Sequence, residues 1–213
     1  MKNIVVFGAG GMGREVLWII DSINEQCRTW NVLGFLDDKH TEFRGKDIHG
    51  FTVVGGLDWL SDHNGEIYLT CAVGKSSVRK TVYESAARLP NVRLAILVDP
   101  TVRVDRTVNI GEGSIISRNC IVTVNIEIGK GVLMNTGSSV GHDAVVGDHC
   151  TFLTNAMASG NTTFGECCEI GSGAFVLQGK SIAANTVVAP LSSVIMDITE
   201  SGTYAGNPAR RIR

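Results

Sequence analysis

From Val98 to Val194 an apolar side chain falls at every sixth position. The series runs Val98, Val104, Ile110, Ile116, Val122, Ile128, Met134, Val140, Val146, Phe152, Ala158, Phe164, Ile170, Val176, Ile182, Val188 and Val194. Four residues after each, the side chain is often small, as at Ser114, Ser138, Ala144, Ala156, Thr162, Ala174, Thr186 and Ser192, and Cys120, Cys150 and Cys168 share that register. Gly111, Gly129, Gly147 and Gly165 add a longer period of eighteen. Six residues suit one short strand plus a turn, and three such units close a triangular coil that stacks on the next at about 4.8 Å. Six is not a multiple of 3.6, and a sandwich would not hold one frame for so long. The pattern predicts a parallel β-helix.

The first part of the chain is patterned differently. "NIVVFGAGGMGREVLWIIDSI" reads as strand, glycine turn and helix, with Val16, Leu17, Ile20 and Ile23 on one helical face. Gly8, Gly10 and Gly13 satisfy G-x-G-x-x-G, where a helix N-terminus and bare backbone suit an anionic phosphate. A second strand, "NVLGFLDD", ends in Asp37 and Asp38, where an acid commonly meets ribose hydroxyls. About ninety residues precede the repeats, enough for one mononucleotide half of a dinucleotide fold. The expected organisation is an α/β half-Rossmann-like domain over 1–96 followed by the β-helix and a tail over 97–213. "VDPTVRVDRTV" joins them without a flexible linker, so the two should dock firmly.

Composition narrows the function classes. The 213 residues are 44% hydrophobic and 19% charged with a formal charge of −2, which gives no footprint for nucleic acid or an anionic membrane. No apolar run reaches the eighteen or so residues of a membrane helix, and "MKNIVVFGAG" flows directly into the glycine motif, so a cytoplasmic location is the expectation. Six cysteines form no CxxC or zinc spacing, and no metal is expected. His40, His49 and His63 read as surface residues, and Trp18, Trp30 and Trp59 as domain packing.

One pair stands out of the repeat. In "VGHDAVVG", His142 and Asp143 are the third and fourth residues of the hexad that starts at Val140, outside the inward register. They belong to the outer surface or a corner of the prism. Eighteen residues on, Gly160 lies over His142 and leaves a slot above the imidazole. Position alone leaves two readings, a solvated surface pair or a catalytic one.

The hexad array, "NTGSSVGHDAVVGD" and the terminal "YAGNPARRI" resemble the left-handed β-helix acetyltransferases, in particular the sialic acid O-acetyltransferase and nucleotide-amino-sugar N-acetyltransferase family. The resemblance covers essentially the whole chain. It supplies the left hand of the β-helix, which the spacing does not. It implies an acetyl-CoA-dependent N-acetyltransferase acting on a nucleotide-linked amino sugar in bacterial surface-glycan synthesis, by direct transfer with His142 as general base and Asp143 as its orienting acid. An imidazole, with an ordinary pKa near 6.5, suits that proton transfer. It implies that Gly160 lies by the thioester and Ser172 along the pantetheine arm. Relatives often carry a second His nine residues after the first; here that position is Thr151, whose hydroxyl is expected to donate to the thioester instead, with His149 a less favoured substitute. The resemblance places the nucleotide-sugar acceptor on Gly8, Gly10, Gly11, Asp37, Asp38 and Lys39, with Gly74 and Lys75 approaching phosphate or sugar. The family's "GGH" loop has Met12 in place of His, read either as packing against the helix or as altered specificity. A homotrimer with its active site between chains is also implied. The competing functions are O-acetylation of a free sugar such as sialic acid, a non-catalytic scaffold, and an NAD-dependent oxidoreductase resting on the glycine loop alone.

Overall fold

The computed structural model describes residues 1–39, 43 and 46–212. The first region is a five-stranded parallel sheet. Its elements in chain order are β1 (Lys2–Phe7), α1 (Gly11–Gln26), β2 (Trp30–Leu36), β3 (Val53–Gly55), α2 (Trp59–Asp62), β4 (Ile67–Cys71), α3 (Ser76–Ala86) and β5 (Val92–Leu94). The strand order is β3-β2-β1-β4-β5, so the chain reverses direction across the sheet between β1 and β4. In such sheets ligands bind at that switch point, off the carboxyl ends of the strands. β1 is apolar throughout its buried length because helices cover both sides, the pattern expected of parallel strands. Gly13 lets α1 lie against the sheet: a Cβ there would overlap the Gly8 carbonyl and press on Phe35. His40 lies outside the described residues.

The second region is a triangular prism of two- or three-residue strands. The first face holds Leu97–Val98, Ile115–Ile116, Leu133–Met134, Thr151–Phe152, Glu169–Ile170 and Val187–Val188, extended by Thr203–Ala205 and Arg210–Arg211. The second holds Ile121–Val122, Ser139–Val140, Met157–Ala158, Phe175–Val176 and Ser193–Val194, and the third Asn109–Ile110, Glu127–Ile128, Val145–Val146, Thr163–Phe164 and Ser181–Ile182. Each strand pairs in parallel with the one eighteen residues away, for example Val140 with Ala158. The inward residues fill one continuous core in which the Phe152 and Phe164 rings meet edge to face at 5.1 Å, and Ser114, Ser138, Thr162, Cys150 and Cys168 are buried at the tighter inward positions.

Two features depart from the repeat as read from sequence. Val104 is 40% exposed and residues 99–108 form no strand: unlike Leu97–Val98 and Asn109–Ile110 of the same first turn, this stretch is not paired with the coil above, and Val102 and Val108 enter the core instead. The corners follow a rule of their own. Gly113, Asn119, Asn125, Gly131, Gly137, Asp143, His149, Asn155, Asn161, Cys167, Gly173, Gly179, Asn185 and Leu191 all have φ near +55 to +77°, again at every sixth position. The left-handed conformation is reached most readily by Gly, Asn and Asp, which accounts for most of that series.

The α/β region sits on the first face. Ile115 and Leu133 point outward into a core shared with Ile4, Val16, Leu17 and Ile20. Of the three tryptophans, Trp30 is buried in that core and Trp59 stacks on His63 at 4.8 Å. Trp18 is 53% exposed, so it is not buried packing; its ring lies under the Arg118 guanidinium at 4.0 Å.

Candidate active site

The turn that carries His142 joins the strand Ser139–Val140 of the second face to Val145–Val146 of the third. It is therefore the corner opposite the face covered by the α/β region. Asp143 takes the left-handed corner position with φ 59°, and its neighbours one coil below and above, Asn125 and Asn161, do the same. The backbone is tied on both sides: Asp143 N–H donates to Val124 at 3.1 Å and Asn161 N–H donates to the His142 carbonyl. This leaves the two side chains pointing outward, each about half exposed.

His142 Nδ1 lies 2.7 Å from Asp143 Oδ2, and Asn125 Nδ2 donates to the other carboxylate oxygen at 3.3 Å. The hydrogen bond from His142, and then that from Asn125, hold the Asp143 carboxyl below its usual value. An ionised carboxylate only accepts, so Nδ1 carries a proton, and in the neutral ring Nε2 is then the atom with the free lone pair. Nε2 faces Gly160 so closely that a Cβ there would overlap it. The absent side chain at Gly160 is what lets the imidazole lie against the next coil. Such an arrangement can remove a proton from a group placed at Nε2 and stabilise the imidazolium that forms.

The glycine loop forms a second cluster. Gly8 packs on Ala72 and Val73 at the ends of β1 and β4, the switch point of the sheet. Asp37 reaches this loop from the end of β2, its carboxylate accepting from Ala9 N–H at 3.0 Å and from Lys39 N–H at 2.9 Å. No side chain caps α1, whose first residue Gly11 is exposed beside exposed Gly10. Asp38, Lys39 and Lys75 are exposed at the rim. Met12 is half-buried and packs into the core under α1, which favours the packing reading of that position.

Three expected contacts are rearranged. Thr151 is not a thioester donor: it is 1% exposed, its hydroxyl donates to the Gly74 carbonyl at 2.9 Å and accepts from Arg79 at 2.8 Å, and it lies on the first face under the α/β region. His149 is also buried there, with its pKa lowered by burial and then by Arg79. Ser172 follows the strand Glu169–Ile170 and leads into Phe175–Val176, so it lies at the corner between the first and second faces. Gly160 lies at the corner between the second and third, and the whole second face separates the two within one chain. The amide of Ser76, the first residue of α3, is taken by Glu169, whose carboxylate also accepts from the Ser76 hydroxyl at 2.7 Å. That leaves the N-terminus of α1, not that of α3, without a side-chain partner.

Sequence reasoning did not find Asn125, Arg79 or Glu169. Asn125 was findable, standing one coil before Asp143; Arg79 and Glu169 act between regions and carry no periodic signal. Among the described residues no group of His, Cys, Asp or Glu is arranged to hold a metal ion.

Comparison with known proteins agrees with both regions. Residues 3–86 match the PglD N-terminal domain family. The chain is 31% identical over 214 residues to a GDP-perosamine N-acetyltransferase of Escherichia coli O157:H7, covering 98% of this chain and 95% of that protein. The solved acetyltransferase domain of PglB from Neisseria gonorrhoeae FA1090, in complex with acetyl coenzyme A, is 29% identical with a TM-score of 0.88 over 99% of both chains. WeeI from Acinetobacter baumannii AYE is likewise 29% identical, with a TM-score of 0.87 over the full length of each. A half-Rossmann sheet set on a hexapeptide prism, joined to a likeness that runs end to end, places the chain in the family of hexapeptide-repeat nucleotide-amino-sugar N-acetyltransferases.

Proposed function

We propose that the protein transfers the acetyl group of acetyl-CoA to the amino group of a nucleotide-linked amino sugar used in bacterial surface-glycan synthesis, with His142 as general base. The observation that carries the role of His142 is its open Nε2 against Gly160, with Nδ1 fixed by Asp143. The free amine attacks the thioester carbonyl, a C–N bond forms, and the amine proton passes to Nε2. The C–S bond then breaks, and the imidazolium returns its proton to the departing thiolate. Asp143 keeps the ring in the productive tautomer throughout. Gly160 admits the thioester beside the imidazole, and Ser172 contacts the pantetheine arm from a neighbouring chain's corner. Gly8, Gly10, Gly11 and the α1 N-terminus receive the diphosphate, and Asp37, Asp38, Lys39, Gly74 and Lys75 surround the nucleotide. The functional division falls between residues 96 and 97.

The acceptor crevice and His142 lie on opposite sides of the prism, which supports a site completed by a second copy in a homotrimer. Ile121 and Met157 are 58% and 44% exposed on the second face beside the His142 corner, in line with Phe175, and would be covered in such an assembly. No described helix is long and apolar enough to cross a membrane. Dependence on acetyl-CoA supports a cytoplasmic site of action.

The test is thiol release from acetyl-CoA against GDP-perosamine, UDP-linked 3-amino and 4-amino sugars, and free sialic acid. Release with a nucleotide amino sugar, lost in His142→Ala, is the expected result. Release only with free sialic acid would replace the reading with O-acetylation. No release with any acceptor, in a protein that binds acetyl-CoA, would overturn it.

A further inference from the structure

We propose that Arg79 is a positioning residue for the acceptor: with Thr151 it fixes the Val73–Lys75 wall of the nucleotide crevice to the β-helix. The inference rests on the reading of that crevice as the acceptor's binding place.

Arg79 lies in the first turn of α3, where a cation opposes the helix dipole, and it is fully buried. No carboxylate neutralises it in the hydrogen bonds it makes. Instead its guanidinium is spread over carbonyls of both regions. On the α/β side, Nη1 donates to Val73 at 2.8 Å and to Gly74 at 3.2 Å. On the prism side, Nε donates to Gly131 at 2.6 Å, and Nη2 donates to His149 at 2.7 Å, to Cys150 at 3.0 Å and to the Thr151 hydroxyl at 2.8 Å. Thr151 closes the circuit by donating to the Gly74 carbonyl. A planar fork of five N–H donors can span two stacked turns and a loop together; an ammonium cannot.

The wall so held is the one that Gly8 touches. A Cβ on Gly8 would stand 3.1 Å from the Ala72 carbonyl and 3.4 Å from Val73, so the glycine loop lies in contact with this segment at the switch point where the acceptor is proposed to bind. On its far side the same segment runs into Ser76, held by Glu169 of the prism. Burying a guanidinium on neutral acceptors is a costly way to hold two regions together when apolar packing is already present between them. What the cage adds is a fixed position for the Val73 and Gly74 carbonyls relative to the prism. That position sets the width of the crevice and the height at which the nucleotide rides over the first face.

The variants are Thr151→Val, which removes one acceptor and one donor at nearly constant volume, Thr151→Ser as the conservative control, and Arg79→Lys. GDP and UDP serve as binding probes by calorimetry, alongside steady-state kinetics and thermal melting. In Thr151→Val and Arg79→Lys we expect the nucleotide Kd and the acceptor KM to rise about 5–20-fold, with the acetyl-CoA KM unchanged within about twofold. Thr151→Ser should match the wild type. Donor and acceptor constants moving together, or a lower melting temperature with nucleotide Kd unchanged, would make the cage a structural bolt and overturn the inference. Should Arg79→Lys fail to fold, Thr151→Val against Thr151→Ser decides. A wild type that binds nucleotide but transfers no acetyl would sink the proposed function while the Kd comparison still judges Arg79. A wild type that binds neither nucleotide would overturn the crevice reading and this inference together.

Discussion

The corner at His142 and the crevice at Gly8 are built from opposite kinds of backbone. The corner is one rung of a ladder: every coil repeats the same left-handed turn, and hydrogen bonds to the coils below and above fix His142 and Asp143 in place. The crevice has no such ladder. Its two sides are loops that Asp37 holds from one direction and Arg79 and Thr151 from the other. A group mounted on a rung cannot travel to its substrate, so the acceptor must be brought to it. The crevice of the same chain lies across the prism and cannot do so. The proposed function answers this with a site shared between two copies, the base on the rung of one and the crevice of the other.

The largest effect that bears on this comparison should come from the rung itself. His142→Ala should lower kcat on the order of 10²–10⁴-fold with thermal melting unchanged, because the side chain is half exposed at its corner. A melting temperature that falls with activity would mean the corner is less stiff than described. Next comes Gly160→Val, whose side chain would occupy the space of Nε2. At least tenfold loss of transfer, roughly 1.4 kcal/mol in the barrier, is expected while nucleotide binding stays intact.

Asp143→Asn sharpens the distinction between turn and chemistry. Asn keeps the left-handed corner, as Asn125 and Asn161 do, but loses the charge that fixes the tautomer. We expect a kcat loss of roughly tenfold or more and an unaltered fold by circular dichroism. In the wild type, the partners that depress Asp143 keep it ionised down through the ordinary carboxylate range, so this contribution should disappear only in acid, as pH falls through the depressed value.

The smallest effect lies on the covered face. Burial lowers the His149 pKa below the usual 6.5, with Arg79 and Lys80 adding to the shift and Asp148 and Glu84 opposing it. The unfolded chain therefore binds the proton first, and stability falls as pH drops through about 6.5 toward the folded value. Asn is suited to the left-handed backbone at this position. Between pH 7.5 and 5.5 the wild type should lose about 2–4 °C more in Tm than His149→Asn. Equal losses would refute the assignment.

The prism was legible because its period is strict: each position of the sixfold series from Ile110 to Val194 is apolar for the same geometric reason. Val104 looked the same in sequence, but its stretch of the first turn pairs with no strand and Val102 and Val108 take the inward places. Asp143 was half legible. Its place in the left-handed series means that the turn alone favours an acid or amide there, and only its bond to His142 makes it chemistry. Thr151 was misread because spacing along the chain gave its distance from His142 but not which face the α/β region covers. Arg79 was invisible, since its prism-side partners lie 52 and 70 to 72 residues away and are three backbone carbonyls and one hydroxyl.

The most direct test of a shared site combines two silent chains. Gly11→Glu places an acid at the exposed first residue of α1, where it suits the helix but repels a phosphate, and His142→Ala removes the base. Co-expressed and purified as a mixed assembly, the two should recover about a quarter of wild-type transfer, the share of interfaces at which random assembly pairs an intact crevice with an intact base. A mixed assembly as silent as either parent would contradict the account.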